Sequence, residues 1–308
     1  MFSGVAEQLA PLREQLLRPL RTTRIAVAIE ADAVTLLAYQ GVAGQLQLQS
    51  WQQAPLPSGV FVNGVPQLCE ELGDLIGDLL LQGSIQAPGA RALLPVEAVV
   101  LRSLKLPEGM QPNADFVSWL SEQEAALALP FPLADAAVSW QQRGDHWLLA
   151  CLPNDQLDRW IDTFAVAGLD LHGLEPSVLA VERLLPLPLQ KQAPDHWSGC
   201  LDLRGESWQL LLWRGSVPLR QLSFEPASGL DELKAVVTSL GGQSLTLQLL
   251  ADPEVSPPLE SWSQQLGCRI KRLDGLAHAS VSDAAGWISP PPAAVDRLIG
   301  LALGGLPL

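Results

Sequence analysis

The feature that most constrains this chain is an order of elements that occurs twice. Residues 24–30 (RIAVAIE), 33–39 (AVTLLAY) and 45–51 (QLQLQSW) read as three close successive strands, the last alternating as a strand with one wet face does. A loop at 54–65 carries two prolines and two glycines. Pro66 then opens a helix with Leu68, Leu72, Leu75, Ile76 and Leu79 on one face; Gly83 closes it, and a short strand follows at 91–95. A second helix, from Asn154 to Ala167, turns Leu157, Trp160, Ile161 and Phe164 inward and stops at Gly168. Beyond the proline-rich stretch 186–194 the order restarts. Strands at 198–203, 206–213 and 217–224 precede a helix near 229–240, a strand at 244–250, a helix near 258–266 and a strand at 268–273. Three tight successive strands pair antiparallel, and a strand returning after a helix can join in parallel. Each half therefore predicts a mixed sheet covered by helices.

Between the repeated parts, residues 97–150 read as a separate α/β unit. A strand at 97–106 leads to a helix that Asn113 could cap, with Phe116, Leu120 and Leu127 inward and its end before Pro130. Strands at 134–142 and 146–152 follow, joined by Arg143-Gly144-Asp145. The division is thus an N-terminal segment 1–23, a first lobe 24–96 plus 151–185, an inserted subdomain 97–150, a linker 186–197 and a second lobe 198–308. In the N-terminal segment, Phe2, Val5, Leu9, Leu12, Leu16 and Leu20 recur at steps of three and four, with Arg13, Arg18, Arg21 and Arg24 beside them. Such a basic amphipathic stretch can touch an anionic membrane surface through residues 1–22, or dock on its own domain. Pro11 and Pro19 interrupt it as a helix.

Composition narrows the function classes. Hydrophobic residues make up 48% of the 308, enough for a substantial core. The net charge of −14, without a long basic run, argues against a nucleic-acid partner. Cys69, Cys151, Cys200 and Cys268 lie far apart and fit free thiols in a reducing compartment, while the four histidines are equally scattered and suggest no metal. Ten tryptophans are expected to fill the core and the lobe interfaces. No stretch approaches the roughly 20 apolar residues of a membrane span, and no signal-peptide pattern opens the chain, which predicts a cytoplasmic protein. No G-x-x-x-x-G-K-[ST], G-x-S-x-G or H-E-x-x-H occurs, and Glu70-Glu71 and Glu122/Glu124 read as solvated helix faces.

Five segments in order resemble the PilM family of type IV pilus assembly proteins. They are Ala54–Gly64 (APLPSGVFVNG), Ala92–Pro107 (ALLPVEAVVLRSLKLP), Ser121–Leu133 (SEQEAALALPFPL), Phe164–Ala180 (FAVAGLDLHGLEPSVLA) and Gly300–Gly305 (GLALGG). The resemblance implies an α/β actin-like (ribonuclease H-like) duplicated fold, two lobes around a cleft, with 97–150 as the small subdomain shared with FtsA. The outer part of the second lobe is reduced: about twenty residues separate Phe224 from the strand at 244, enough for one helix at about 1.5 Å per residue.

The same resemblance places a nucleotide cleft, and here the sequence departs from the family. An actin-like ATPase grips a triphosphate between two turns rich in Gly and Ser/Thr, whose backbone N–H groups approach phosphate. The first turn corresponds to Ile29–Val34 (IEADAV), without glycine or hydroxyl, where Glu30 and Asp32 bring carboxylates. The second corresponds to Leu201–Trp208 (LDLRGESW), where Asp202 keeps its place but Arg204 stands at a glycine position and Glu206 and Trp208 add bulk. Two further glycine-bearing loops of the family correspond to Phe224-Glu225-Pro226 and Leu250-Ala251-Asp252-Pro253. The expectation is a degenerate site with no cofactor, neither ATP nor Mg²⁺. One guanidinium could still grip phosphate.

By resemblance the partner is the N-terminal tail of a PilN-like bitopic membrane protein, which links the pilus platform to its motor components. Its groove lies beside the inserted subdomain, with Leu104, Leu106, Phe116 and Leu120 as candidate lining; ordinary core packing is the competing account of each. The function expected is a non-enzymatic cytoplasmic scaffold, peripheral at the inner membrane. The alternatives are a nucleotide-switched PilM/FtsA-like ATPase and a GspL-like type II secretion module.

Overall fold

The computed structural model describes residues 23–42, 45–105, 114–143, 146–186, 193, 195–204, 207–215, 217–241, 245–252, 254–255, 257–282 and 292–305. The candidate N-terminal helix, Leu106, Asn113, the 144–145 turn and Glu206 lie outside these residues. The first half contains β1 (Arg24–Ile29), β2 (Ala33–Val42), β3 (Gln45–Pro55), the small hairpin β4 (Phe61–Val62) and β5 (Val65–Pro66), α1 (Cys69–Gln82) and β6 (Gly89–Leu94). The inserted unit is β7 (Val100–Leu104), α2 (Ala114–Glu122), α3 (Glu124–Leu127), β8 (Ala136–Arg143) and β9 (His146–Pro153). Then come α4 (Asn154–Val166), β10 (Asp170–Pro176) and α5 (Ser177–Arg183). The second half runs β11 (Trp197–Asp202), β12 (Trp208–Arg214), β13 (Val217–Phe224), α6 (Gly229–Ser239), β14 (Thr246–Leu250), α7 (Leu259–Leu266) and β15 (Arg269–Arg272). Strand β16 (Ala279–Val281) and helix α8 (Ala293–Gly304) close it.

Duplication is explicit in the sheets. The first has the order β10-β6-β1-β2-β3-β16, the second β13-β12-β11-β14-β15. Each central strand has an antiparallel neighbour on one side and a parallel one on the other. Val27 of β1 stands opposite Leu36 and Ala92, and Leu201 of β11 opposite Leu210 and Leu249. Successive side chains of β1 go to opposite faces. Ile25, Val27 and Ile29 pack on α1 and α4 through Leu72, Ile76, Trp160 and Phe164. Ala26 and Ala28 face the other way, into a core shared with α5, α8 and, from the second sheet, Cys200, Leu211 and Trp213. The outer face of that sheet packs Leu201, Leu210 and Leu212 on Leu233 and Val237 of α6 and Leu266 of α7. The molecule is thus five layers, helices–sheet–helices–sheet–helices.

The middle layer is the pair α5 and α8. Helix α8 (AAVDRLIGLALG) buries Ala293, Ala294, Val295, Leu298, Ile299, Leu301 and Ala302, as a helix enclosed on several sides must. Gly300 lets it meet α5 backbone to backbone: a Cβ there would stand 2.1 Å from the Ala180 carbonyl oxygen.

Several expectations need correction. The helix begins at Cys69 instead of Pro66, because Pro66 pairs with Phe61 in the small hairpin, and Leu68 is 44% exposed. Ile161 is 46% exposed. The buried arc of α4 centres on Trp160, Thr163 and Phe164, and Ile161 stands about 100° round the helix from Trp160. Strand β7 starts only at Val100, since Ala98 N–H donates to the Pro95 carbonyl in a turn. The helix expected to end before Pro130 is broken at Gln123 and finished by Ala128 in the left-handed region, φ 47°. Arg102 caps that end, donating to the carbonyls of Leu127 (2.7 Å) and Ala128 (3.0 Å). Finally, the segment 198–308 does not stay in one lobe. Strand β16 extends the first sheet beside β3, and α8 packs between the two sheets, because its apolar surface is too wide to bury against one sheet alone. Between β13 and β14 the described residues hold the single helix α6. No helix among the described residues is long and apolar enough to cross a membrane.

Candidate functional site

The β1–β2 turn of the first lobe and the end of β11 in the second face each other across a cleft of about 960 Å³. Each turn bonds one of its own backbone donors. Glu30 N–H donates to the Ala33 carbonyl at 2.8 Å, closing the turn over Ala31 and Asp32. Arg204 N–H donates to Asp202 Oδ1 at 3.0 Å, a turn in which the Asp side chain mimics a backbone acceptor. One backbone N–H of each turn, that of Glu30 and that of Arg204, is therefore already bonded within the protein.

Charged side chains fill the floor between them. Arg204 holds Asp202 in a fork, Nε to Oδ1 at 2.9 Å and Nη2 to Oδ2 at 2.6 Å, the strong bidentate geometry. Its Nη1 reaches into the other lobe and donates to Glu30 Oε1 at 2.8 Å. Arg297 of α8 pairs with the same Glu30 oxygen and lies 3.8 Å from Asp202 Oδ2. The side chains are 11% (Arg204), 15% (Asp202 and Arg297) and 22% (Glu30) exposed, so solvent screens them little. Burial opposes the charge on Arg204, but the Asp202 carboxylate and its hydrogen bonds, with Asp252 behind, hold the guanidinium above its usual range. Burial lowers Arg297 to about 10, which leaves it charged at neutral pH.

Other cleft carboxylates complete the picture. Asp252 Oδ1 accepts from Ala293 N–H at 2.8 Å and so caps α8, occupying with a protein carboxylate the helix end that would attract an anion. Asp32 lines the cleft but is exposed, with its carbonyl accepting from Leu56 N–H at 2.8 Å. Burial lifts the neighbouring Asp296 carboxyl to about 6, against the pull of the Gly275 N–H on its Oδ1. Among the described residues no group of three or more His, Cys, Asp and Glu is placed to hold a metal.

Of the residues expected at the cleft, the structure thus joins Glu30, Asp202 and Arg204 and leaves Asp32 at the solvent side of the same space. Arg297 was not anticipated. Its one signal in the sequence is that Asp296-Arg297 is the single charged pair of an otherwise apolar helix. The candidate partner groove fares differently. Phe116 and Leu120 are 0% and 2% exposed, at the centre of the inserted subdomain with Leu127, Leu149 and Cys151. Phe116 meets Trp140 edge to face, ring centres 5.0 Å apart. They are core rather than groove wall, because so small a unit has few other side chains to bury. Leu104 is half-buried against the same core, and Leu106 is outside the described residues. A separate pocket of about 520 Å³ of mixed polar and apolar lining does lie beside the subdomain, between Val99, Leu101 and Arg102 on one side and Leu211, Pro218 and Gln221 on the other.

No family model matches the sequence, and no curated protein matches it. Solved structures do match in shape. A chain of the PilM–PilN type IV pilus biogenesis complex superposes with a TM-score of 0.73 at 18% identity, covering 92% of this chain and 99% of that one. The cytoplasmic domain of EpsL, an inner-membrane component of the type II secretion system of Vibrio cholerae, gives 0.52 at 14% identity over 92% and 96% of the two chains. A Bacteroides thetaiotaomicron protein with an actin-like ATPase fold and unknown function gives 0.51 at 10% identity over 92% and 97%. With the duplicated sheet order, these likenesses establish the actin-like fold.

Proposed function

We propose that this chain is a non-enzymatic scaffold of a type IV pilus inner-membrane platform, working on the cytoplasmic side and binding the N-terminal tail of a PilN-like membrane protein. The observation that carries the non-enzymatic part is the floor of the cleft. Where an ATPase of this fold needs open turns of N–H donors, Glu30, Asp202, Arg204 and Arg297 neutralise one another and both turns close on themselves. A triphosphate entering here would have to displace two carboxylates from buried guanidinia while facing Asp32 and Asp252. The platform part is supported by the likeness to the PilM–PilN complex along nearly the whole of both chains. The inserted subdomain offers the partner the pocket beside β7 rather than the buried faces of Phe116 and Leu120.

Two calorimetric titrations test the proposal. Mg-ATP should give no heat of binding up to millimolar concentration, and micromolar affinity would refute the non-enzymatic reading. A synthetic PilN-type N-terminal peptide should bind, and its failure to bind would refute the partner assignment.

A further inference from the structure

The four charged groups of the cleft come from three separate parts of the fold. Glu30 ends β1 in the first lobe, Asp202 and Arg204 end β11 in the second, and Arg297 belongs to the helix enclosed between the sheets. Each carboxylate faces both guanidinia: Glu30 takes Nη1 of Arg204 and pairs with Arg297, while Asp202 takes the fork of Arg204 and has Arg297 3.8 Å away. The result is a ring of alternating sign that crosses from lobe to lobe, with Arg204 joined to a residue 174 positions away. Among the described residues Arg297 Nε is buried without a hydrogen-bond partner, and the ion pairs of this guanidinium are those with Glu30 and Asp202.

We propose that the Glu30 and Asp202 carboxylates are the built-in anionic ligand of this cleft, holding the lobes together without nucleotide and masking a latent anion site formed by Arg204 and Arg297. A bound phosphate chain would supply negative charge between the lobes for donors on both sides; here two side chains supply it from within the protein. The lobes are then tied together constitutively, because this ligand cannot dissociate. Neutralising both carboxylates without changing their shape leaves two buried cations unpaired. Such a pair must either draw in water by opening or draw in an anion.

The test uses Glu30→Gln/Asp202→Asn in the full chain, with inorganic pyrophosphate as probe. Wild type should show no pyrophosphate binding by calorimetry. The double variant should bind it at least 10-fold more tightly than any binding seen in wild type and gain melting temperature on its addition. Adding Arg204→Met and Arg297→Met to the double variant should abolish both effects. Without anion, the amides of Glu30 and Arg204, each bonded within its turn, should exchange with deuterium at least 10-fold faster in the double variant. Equal pyrophosphate affinity in wild type and variant would overturn the proposal, as would unchanged exchange without anion binding. Should the double variant fail to fold, the single Glu30→Gln chain keeps Asp202 on both arginines; exchange at Glu30 and Arg204 identical to wild type would then refute the ring as a lobe tie, and faster exchange would support it. The inference stands apart from the choice of partner: failure of the PilN-type peptide to bind would leave it intact, whereas wild-type binding of Mg-ATP in this cleft would sink it together with the non-enzymatic reading.

Discussion

Substituting Gly300 by alanine should pull apart the two helices on which both lobes rest. A Cβ at this position would lie 2.1 Å from the Ala180 carbonyl oxygen and 2.7 Å from its carbon, both backbone atoms of α5 that no rotamer change can move. Ordinary contact needs about 3.4 Å, so α5 and α8 must separate by about 1 Å in a layer packed on both faces. Overpacking of a close-packed core costs typically about 1–3 kcal/mol, and blocked backbone puts this case near the top, about 3 kcal/mol. The better helix propensity of alanine returns about 1 kcal/mol, leaving about 2 kcal/mol of net destabilisation. At about 2.1 cal/mol/K per residue, 308 residues give a melting entropy of about 0.65 kcal/mol/K, so the melting temperature should fall by about 3 °C. Gly77→Ala is the matched control. It sits inside α1 with nothing within 4 Å of the place its methyl would take, so only propensity acts and the melting temperature should rise by about 1–2 °C. Differential scanning calorimetry of both variants decides the matter. If Gly300→Ala rises with Gly77→Ala, the two central helices do not meet backbone to backbone and the reasoning fails.

Three further outcomes follow from burial and charge. Arg143 of the inserted subdomain and Glu182 of α5 form a buried ion pair, 6% and 8% exposed; burial pushes the Glu182 carboxyl up while Arg143 pulls it down. Arg143→Met should therefore cost about 3–5 kcal/mol in urea unfolding, and Arg143→Met/Glu182→Met should recover most of it. Asp296 binds its proton more tightly in the folded chain than the ordinary 3.8, at about 6, so its contribution to stability is complete below about pH 3.8 and lost as pH rises through about 6. Asp296→Asn, which keeps an acceptor for Gly275, should match wild type near pH 4 and exceed it by up to about 3 kcal/mol at pH 7; equal stability at both would refute the raised value. All four cysteines are free, but Cys69 alone is not buried, and burial pushes the Cys151, Cys200 and Cys268 thiols up. Mass spectrometry after N-ethylmaleimide should find one adduct on the native chain and four in guanidinium.

What the sequence made legible is what local chemistry controls. The three tight strands of each half, the stops at Gly83 and Gly168 and the alternation of β3 all follow from turn residues and period. Strand β10 (DLHGLEP) escaped because it breaks alternation with a bulge between Leu171 and Gly173 and ends in proline. Helix α5, of seven residues, is too short for a period to show. The same division holds at the cleft. Glu30, Asp202 and Arg204 were legible through the resemblance, which matched the family's two phosphate turns to the ends of β1 and β11. Arg297 was not, because it reaches the ring only through the passage of α8 between the sheets. Phe116 and Leu120 mark the opposite error: a helical stripe of apolar residues reads alike whether it lines a groove or fills a core. In a unit of this size the core claims them first.

The ring and the helix pair bear on one question, which is how the two lobes keep one arrangement relative to each other. The apolar contacts of α5 and α8 supply area, but area is tolerant of sliding, since a dry surface can repack at modest cost. Charge is less tolerant. A buried arginine fork accepts a carboxylate in few orientations, and a pair broken in a dry cleft leaves an uncompensated charge. Arg204 faces Asp202 in its own lobe and Glu30 in the other at once, so rotating one lobe against the other must break one of these contacts. Gly300 then fixes how near the helices come, and the ring fixes how the lobes are turned.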